Sequence, residues 1–199
     1  MTEKQIERIR LSIKKHRGIL SAEKRKFGGF FDNRGIRYSI SNLYMQISDY
    51  KGTITYKRWF DKNFPDDIGA PFLSLHWSIA YFELGKLREA KTYTIDTAFQ
   101  NIYLHELLLG REVKRIDMYE FGRDMYEFAQ SMTKDYGNVA TKSYLDWLSA
   151  FIETDEYKEP INKFIALSKQ IKDEKNRDKR IELLDEMSDL ENMSKNKDR

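Results

Sequence analysis

The stretch PFLSLHWSIAYFELGKLREA, residues 71–90, decides the fold class. Phe72, Leu73, Leu75, Trp77, Ile79, Ala80, Tyr81 and Phe82 leave no polar face on a helix drawn through them. A helix of that kind is buried on several sides. Pro71 suits the first position of a helix, where its missing N–H costs nothing. Gly85 provides the stop. A partner helix begins near Leu87 and extends to Leu109, with Gly110 as its stop. One enclosed helix and its partner need further helices around them, so the chain is read as all-α.

The flanks agree. Thr2 caps a first helix with Gln5 at the capping-box position. Ile6, Ile9, Ile13 and Leu20 form its apolar stripe, and it runs to about Lys26. Residues 27–38, FGGFFDNRGIRY, interrupt the pattern; their aromatics need packing partners, so the loop is expected to be pinned against the helices. Helical spacing returns with Ile36, Ile40, Leu43, Tyr44 and Ile47, breaks at Asp49, and resumes through Ile54, Trp59, Phe60 and Phe64 to a stop at residues 65–69.

Downstream, Met118, Phe121, Met125, Phe128 and Met132 predict a helix from Asp117 to about Tyr136. A second helix spans residues 140–152, and Pro160 opens a third. The polar run 172–179 reads as a hinge or a solvated helix stretch. Ile181, Leu184, Met187 and Leu190 mark a last amphipathic segment. The expectation is a helix-hairpin array of about seven to nine helices. Residues 1–155 form the main domain, 156–193 a C-terminal helical extension, and 194–199 a disordered tail.

Composition fits this reading. Of 199 residues, 34% are charged, above the globular average of about 25%, as the outer faces of amphipathic helices require. Three prolines and ten glycines are few for an all-β chain. No cysteine is present, which removes disulfides, thiolate metal sites and thiol nucleophiles. No stretch approaches the ~18 apolar residues of a membrane span, and no signal peptide is seen, so the expected location is the cytoplasm. Net charge is +3, yet residues 1–26 hold nine Lys or Arg against three Glu.

Two segments echo each other 37 residues apart: Ile40-Ser41-x-x-Tyr44 with Thr53, and Trp77-Ser78-x-x-Tyr81 with Ala90. In both, a small Ser precedes Tyr by three positions and a small residue follows that Tyr by nine. Small residues let two helices approach while Tyr fills the space beside them. This arrangement resembles the tetratricopeptide repeat, a helix–turn–helix unit of about 34 residues, in degenerate form over roughly residues 34–101. The two units would be about 34–67 and 71–104. Ser41 and Ser78 stand where that family favours Gly, Tyr44 and Tyr81 at its Tyr, Thr53 and Ala90 at its Ala, and Pro65 at its closing Pro. Lys57 and Thr94 replace its usual aromatic, and the second unit lacks the closing Pro.

The resemblance implies a peptide-binding groove lined by the first helix of each unit. Those positions are Tyr38, Asn42, Met45 and Gln46, then Phe72, Leu75, Ile79, Phe82 and Glu83. The second set reads as core, so another helix of the chain, residues 140–152 being the candidate, is expected to cover it. Candidate binding residues are thus Arg34, Arg37, Tyr38, Asn42, Met45 and Gln46. The two Arg forks suit carboxylate or phosphate. Against that stands a structural role, with Asp32 capping the next helix and the arginines pairing with Asp66-Asp67.

His16, His76 and His105 lack metal-ligand spacing, and His76 is expected to be a core group. No catalytic cluster, metal site or cofactor motif is evident. The leading expectation is a scaffold or adaptor that binds a protein or peptide partner, with self-association through the C-terminal helix as a further possibility. One alternative is nucleic-acid binding through the basic start and the Gly/Phe/Arg loop. The other is an enzyme with a site around Asp32, Arg34 and Arg37.

Overall fold

The computed structural model describes residues 1–67, 69–120, 122 and 124–196, with side chains through Asn192. Ten α-helices and no strand occur among them: α1 Glu3–Phe27, α2 Ile36–Gln46, α3 Tyr50–Asn63, α4 Pro71–Glu83, α5 Leu87–Gln100, α6 Leu104–Leu108, α7 Tyr126–Tyr136, α8 Lys142–Phe151, α9 Asp155–Asp173 and α10 Arg177–Asn196. The fold is all-α. No described helix is long and apolar enough to cross a membrane.

Local chemistry sets several boundaries. Thr2 and Gln5 form the reciprocal capping box of α1, and Gly28 ends that helix at φ 73°. Asp49 and Thr141 cap α3 and α8 through side-chain oxygens that accept from Gly52 and Tyr144 N–H. Pro71 is the first residue of α4. That helix is the centre of the molecule: every side chain from Pro71 to Tyr81 is buried, against α2, α3, α5 and α8. Phe72 also stacks on Tyr136 of α7, ring centroids 4.1 Å apart.

Helices α2–α3 and α4–α5 are two successive hairpins whose geometry repeats at the 37-residue offset. α3 and α5 are each 14 residues long, starting at Tyr50 and Leu87. The turns share two hydrogen bonds: Ser48 N–H donates to Met45 O and Asp49 N–H to Tyr44 O, as Gly85 N–H does to Phe82 O and Lys86 N–H to Tyr81 O. Tyr44 faces Tyr56 at 6.3 Å, and Tyr81 stacks on Tyr93 at 5.5 Å. The Tyr56/Tyr93 echo also lies 37 residues apart in the sequence, and the sequence reading passed over it.

Both turns need a left-handed residue, supplied by Ser48 (φ 53°) and Gly85 (φ 72°). A Cβ at Gly85 would meet nothing within 4 Å. Gly85→Ala should therefore cost only the conformational penalty, about 1 kcal/mol. Ser48→Gly should raise stability by up to about 0.5 kcal/mol, as relieved strain outweighs the added chain entropy. Urea unfolding midpoints check both signs.

Three expectations are corrected. Residues 87–109 are not one helix. Asn101 is fully buried and extended (φ −161°, ψ 106°). Its side chain accepts from Tyr103 N–H and donates to Met125 O, and this side-chain bonding replaces the helical ladder. Nor is 117–136 one helix, since α7 starts at Tyr126. The chain before it runs across the body, with Ile116 N–H on the Tyr103 hydroxyl, Tyr119 N–H on Ser168 O, and Met118 buried. Met118 and Met125 carry helical spacing, but Met118 is buried outside any helix and Met125 is 38% exposed just before α7; Phe121, part of that pattern, is outside the described residues.

Finally, α9 begins five residues before Pro160. Proline there forgoes the one bond its N–H would make to the Glu156 carbonyl. The hinge falls at residues 174–176, where Asn176 Oδ1 accepts from Asp178 and Lys179 N–H and caps α10. Of the expected tail, 194–196 continue α10 and 197–199 lie outside the described residues.

Candidate functional site

The loop between α1 and α2 converges on Arg37. Asp32 is 4% exposed; its carboxylate accepts from Ile36 and Arg37 N–H, capping α2 where Gly35 has no side chain to do so. The Arg37 guanidinium spans two acids, with Nη1 3.0 Å from Asp32 and Nε 2.7 Å from Asp67. Its Nη2 donates to the Tyr38 hydroxyl, which donates in turn to Asp67. Tyr56 donates to the Arg37 carbonyl at 2.6 Å. The network ties the loop, α2, α3 and the α3–α4 connection together.

Its electrostatics are those of a closed cluster. Burial pushes Asp67 upward, but hydrogen bonds from Tyr38, Gly69 N–H and Arg37, with the Arg37 charge, outweigh it and hold the carboxyl below its ordinary range. Burial, then the bond to Asp67 and its charge, raise the Tyr38 phenol. Burial opposes the Arg37 charge, and the bonds to Asp67 and Tyr38 more than restore it.

The six candidate residues do not form one surface. Arg37 and Tyr38 are engaged in that cluster. Met45 is 2% exposed, in the core. Asn42 is half-buried, with its Oδ1 lacking a hydrogen bond among the described residues. Only Arg34 and Gln46 are exposed. Of the nearby aromatics, Phe30 packs on Trp59 and Phe64, whereas Phe27 and Phe31 stay in solvent against each other. Over the α4 face lies α8: Phe82 meets Trp147 and Tyr144, Ser78 bonds the Tyr144 hydroxyl, and Thr141 donates to Glu83.

A groove of about 770 Å³ lies between α5, α9 and α10. Leu87, Ile95 and Phe99 come from α5, Pro160 from α9 and Leu190 from α10. Phe99 is seated on Phe164, ring centroids 5.4 Å apart, which closes the floor. At the mouth Leu87 is 48% exposed. The rim carries both signs: Lys91 pairs with Glu156 and Lys163 with Glu186, all in solvent. Such exposed pairs add little stability, but they keep charge beside an apolar floor.

The sequence carried a signal for this groove that its reading missed. Leu87, Lys91, Ile95 and Phe99 recur every fourth position; of this stripe Phe99 is buried with Ala90, Thr94, Asp96, Thr97 and Ala98, while Leu87 and Ile95 are not. Apolar Leu87 and Ile95, outside the buried set of the helix, give it a second surface to cover. The partners of that stripe come from helices 60 to 100 residues away, which spacing within α5 does not reveal. Among the described residues, no three His, Cys, Asp or Glu side chains gather as metal ligands would. No protein-family model matches the chain, and neither a curated protein nor a solved structure does.

Proposed function

We propose that this protein is an interaction scaffold that docks an amphipathic segment of a partner protein in the α5–α9–α10 groove. The observation that carries the reading is the groove itself: an apolar floor of Ile95, Phe99 and Leu190, a half-exposed Leu87 at its mouth, and charges of both signs on its rim. An apolar centre within a polar rim is the anatomy of protein interfaces, and a helix lying in such a groove is a recurrent binding mode. The same reading takes the two hairpins as degenerate tetratricopeptide-like units, which their shared turn geometry and Tyr pairs support. The groove used is then on the outer face of the second unit, because α8 occupies the inner one. We place the scaffold in the cytoplasm, where a cysteine-free composition suits a reducing medium.

Leu87→Asp tests this with little effect on the fold. Leu87 is the first residue of α5, where an acid is favoured by the helix dipole. The substitution should lower retention of the partner from native extract by about tenfold or more, with an unchanged melting temperature. Equal retention by the variant and the parent chain would remove the groove from the account.

A further inference from the structure

The geometry points to a second site, for a phosphate group, in the cleft between α1 and the α2–α3 turn. Arg10, Lys14 and Arg17 lie within about 60° of one another around α1, at ~100° per residue. The buried Ile13 and Leu20 fix this helix on α2, so the three cations border a cleft of about 460 Å³ closed by Tyr44 and Ile47. Arg17 Nη1 donates to the Tyr44 hydroxyl at 3.2 Å. That oxygen is an acceptor there, and its own proton has no acceptor among the described residues.

Positive charge predominates in the cleft, whose lining holds three cations and one acid. Asp49, the acid on its lining, caps α3 through Gly52 N–H at 2.8 Å and brings one negative charge against the three positive ones. Glu7 reaches Arg10 only at 3.8 Å, with both side chains more than 60% exposed, a pair of little weight. Lys14 and Arg17 form no ion pair among the described residues. The three cations repel one another, and Asp49 and Glu7 leave part of that repulsion to be offset.

A phosphate group would do so. The Arg17 fork takes two of its oxygens, Tyr44 O–H donates to another, and Arg10 and Lys14 supply charge. The volume suits a nucleotide-sized ligand, with Ile13 and Ile47 as its apolar wall. The phosphate can belong to a small molecule or to a nucleic-acid strand. This site is independent of the α5–α9–α10 groove.

The test is titration of the full chain at low salt with pyrophosphate, AMP and fluorescein-labelled dT12. Binding of pyrophosphate or AMP that dT12 does not exceed assigns a small phosphate. Much tighter, steeply salt-dependent binding of dT12 assigns a strand. In either case Lys14→Ala and Tyr44→Phe should each weaken binding about tenfold; Tyr44→Phe keeps the ring packed over Gly52. Lys15→Ala, the same charge change on another face of α1, should alter it less than about twofold. Binding of none of the three probes, or equal losses from Lys14→Ala and Lys15→Ala, would overturn the site.

Discussion

Lowering the pH from 7 to 5 is expected to reduce the unfolding free energy of this protein by about 4 kcal/mol. The cause is two histidines with no exposed surface, His76 on α4 and His105 on α6. His76 Nδ1 lies 3.1 Å from the Ser41 hydroxyl, and Phe72 and Tyr136 enclose the ring. His105 Nδ1 lies 3.0 Å from the Tyr157 hydroxyl. In both, Nε2 is buried without a hydrogen bond among the described residues, so an added proton would find no acceptor. Burial lowers each from 6.5 to about 3.

The sign follows from which state binds the proton. Below about pH 7 the unfolded chain protonates at both histidines, while the folded chain does not until about pH 3. Falling pH therefore favours unfolding across that whole interval. Each histidine contributes about 2 kcal/mol between pH 7 and 5, out of a typical total of ~5–15 kcal/mol. Asp67, held below its ordinary range, adds a separate loss at lower pH still, as it protonates. Urea unfolding from pH 7.5 to 5 measures the slope. The double variant His76→Gln, His105→Gln starts from lower stability but should lose most of the slope; an unchanged slope would contradict the assignment.

The second large effect is expected at Arg37. Arg37→Ala leaves Asp32, whose side chain has no exposed surface, and Asp67, at 12%, without their shared cation. Removing one partner of a buried pair costs about 3–5 kcal/mol. Because Arg37 is 23% exposed and water can reach the cluster, the expected loss is about 2–3 kcal/mol. Arg37→Lys should recover little, since an ammonium cannot span two carboxylates as a fork does. Arg34→Ala, three residues away in solvent, should stay within about 0.5 kcal/mol. If both arginines proved neutral to stability, the loop would lose its structural role and regain interest as a site.

These two results bear on what the sequence can reveal. The capping box at Thr2, the Pro71 start, the Gly85 stop and the enclosure of α4 are written in local chemistry or in an all-apolar periodicity, and they could be read directly. The Asp32 cap and the Arg37–Asp67 pair were readable because charges flanking a helix pair tend to meet. Asn101 was not, since its break depends on the Met125 carbonyl, 24 residues away. Met118 misled because apolar spacing alone does not distinguish a helix from an irregular segment such as 116–119, bonded across the body through Ile116 and Tyr119. Met45 looked like a groove residue and is core. The groove itself draws on three helices, and the sequence offered only its α5 stripe.

Photo-crosslinking from position 87 tests the groove most directly. A photoreactive residue at 87 is compared in native cells with one at Lys142, whose side chain is 89% exposed on α8, and with the purified chain alone. A discrete adduct from position 87, missing from position 142 and from the purified chain, is the result predicted for a partner in the groove. An adduct formed by the purified chain would mean a second copy fills it. No adduct, or the same adducts from both positions, would contradict the scaffold reading.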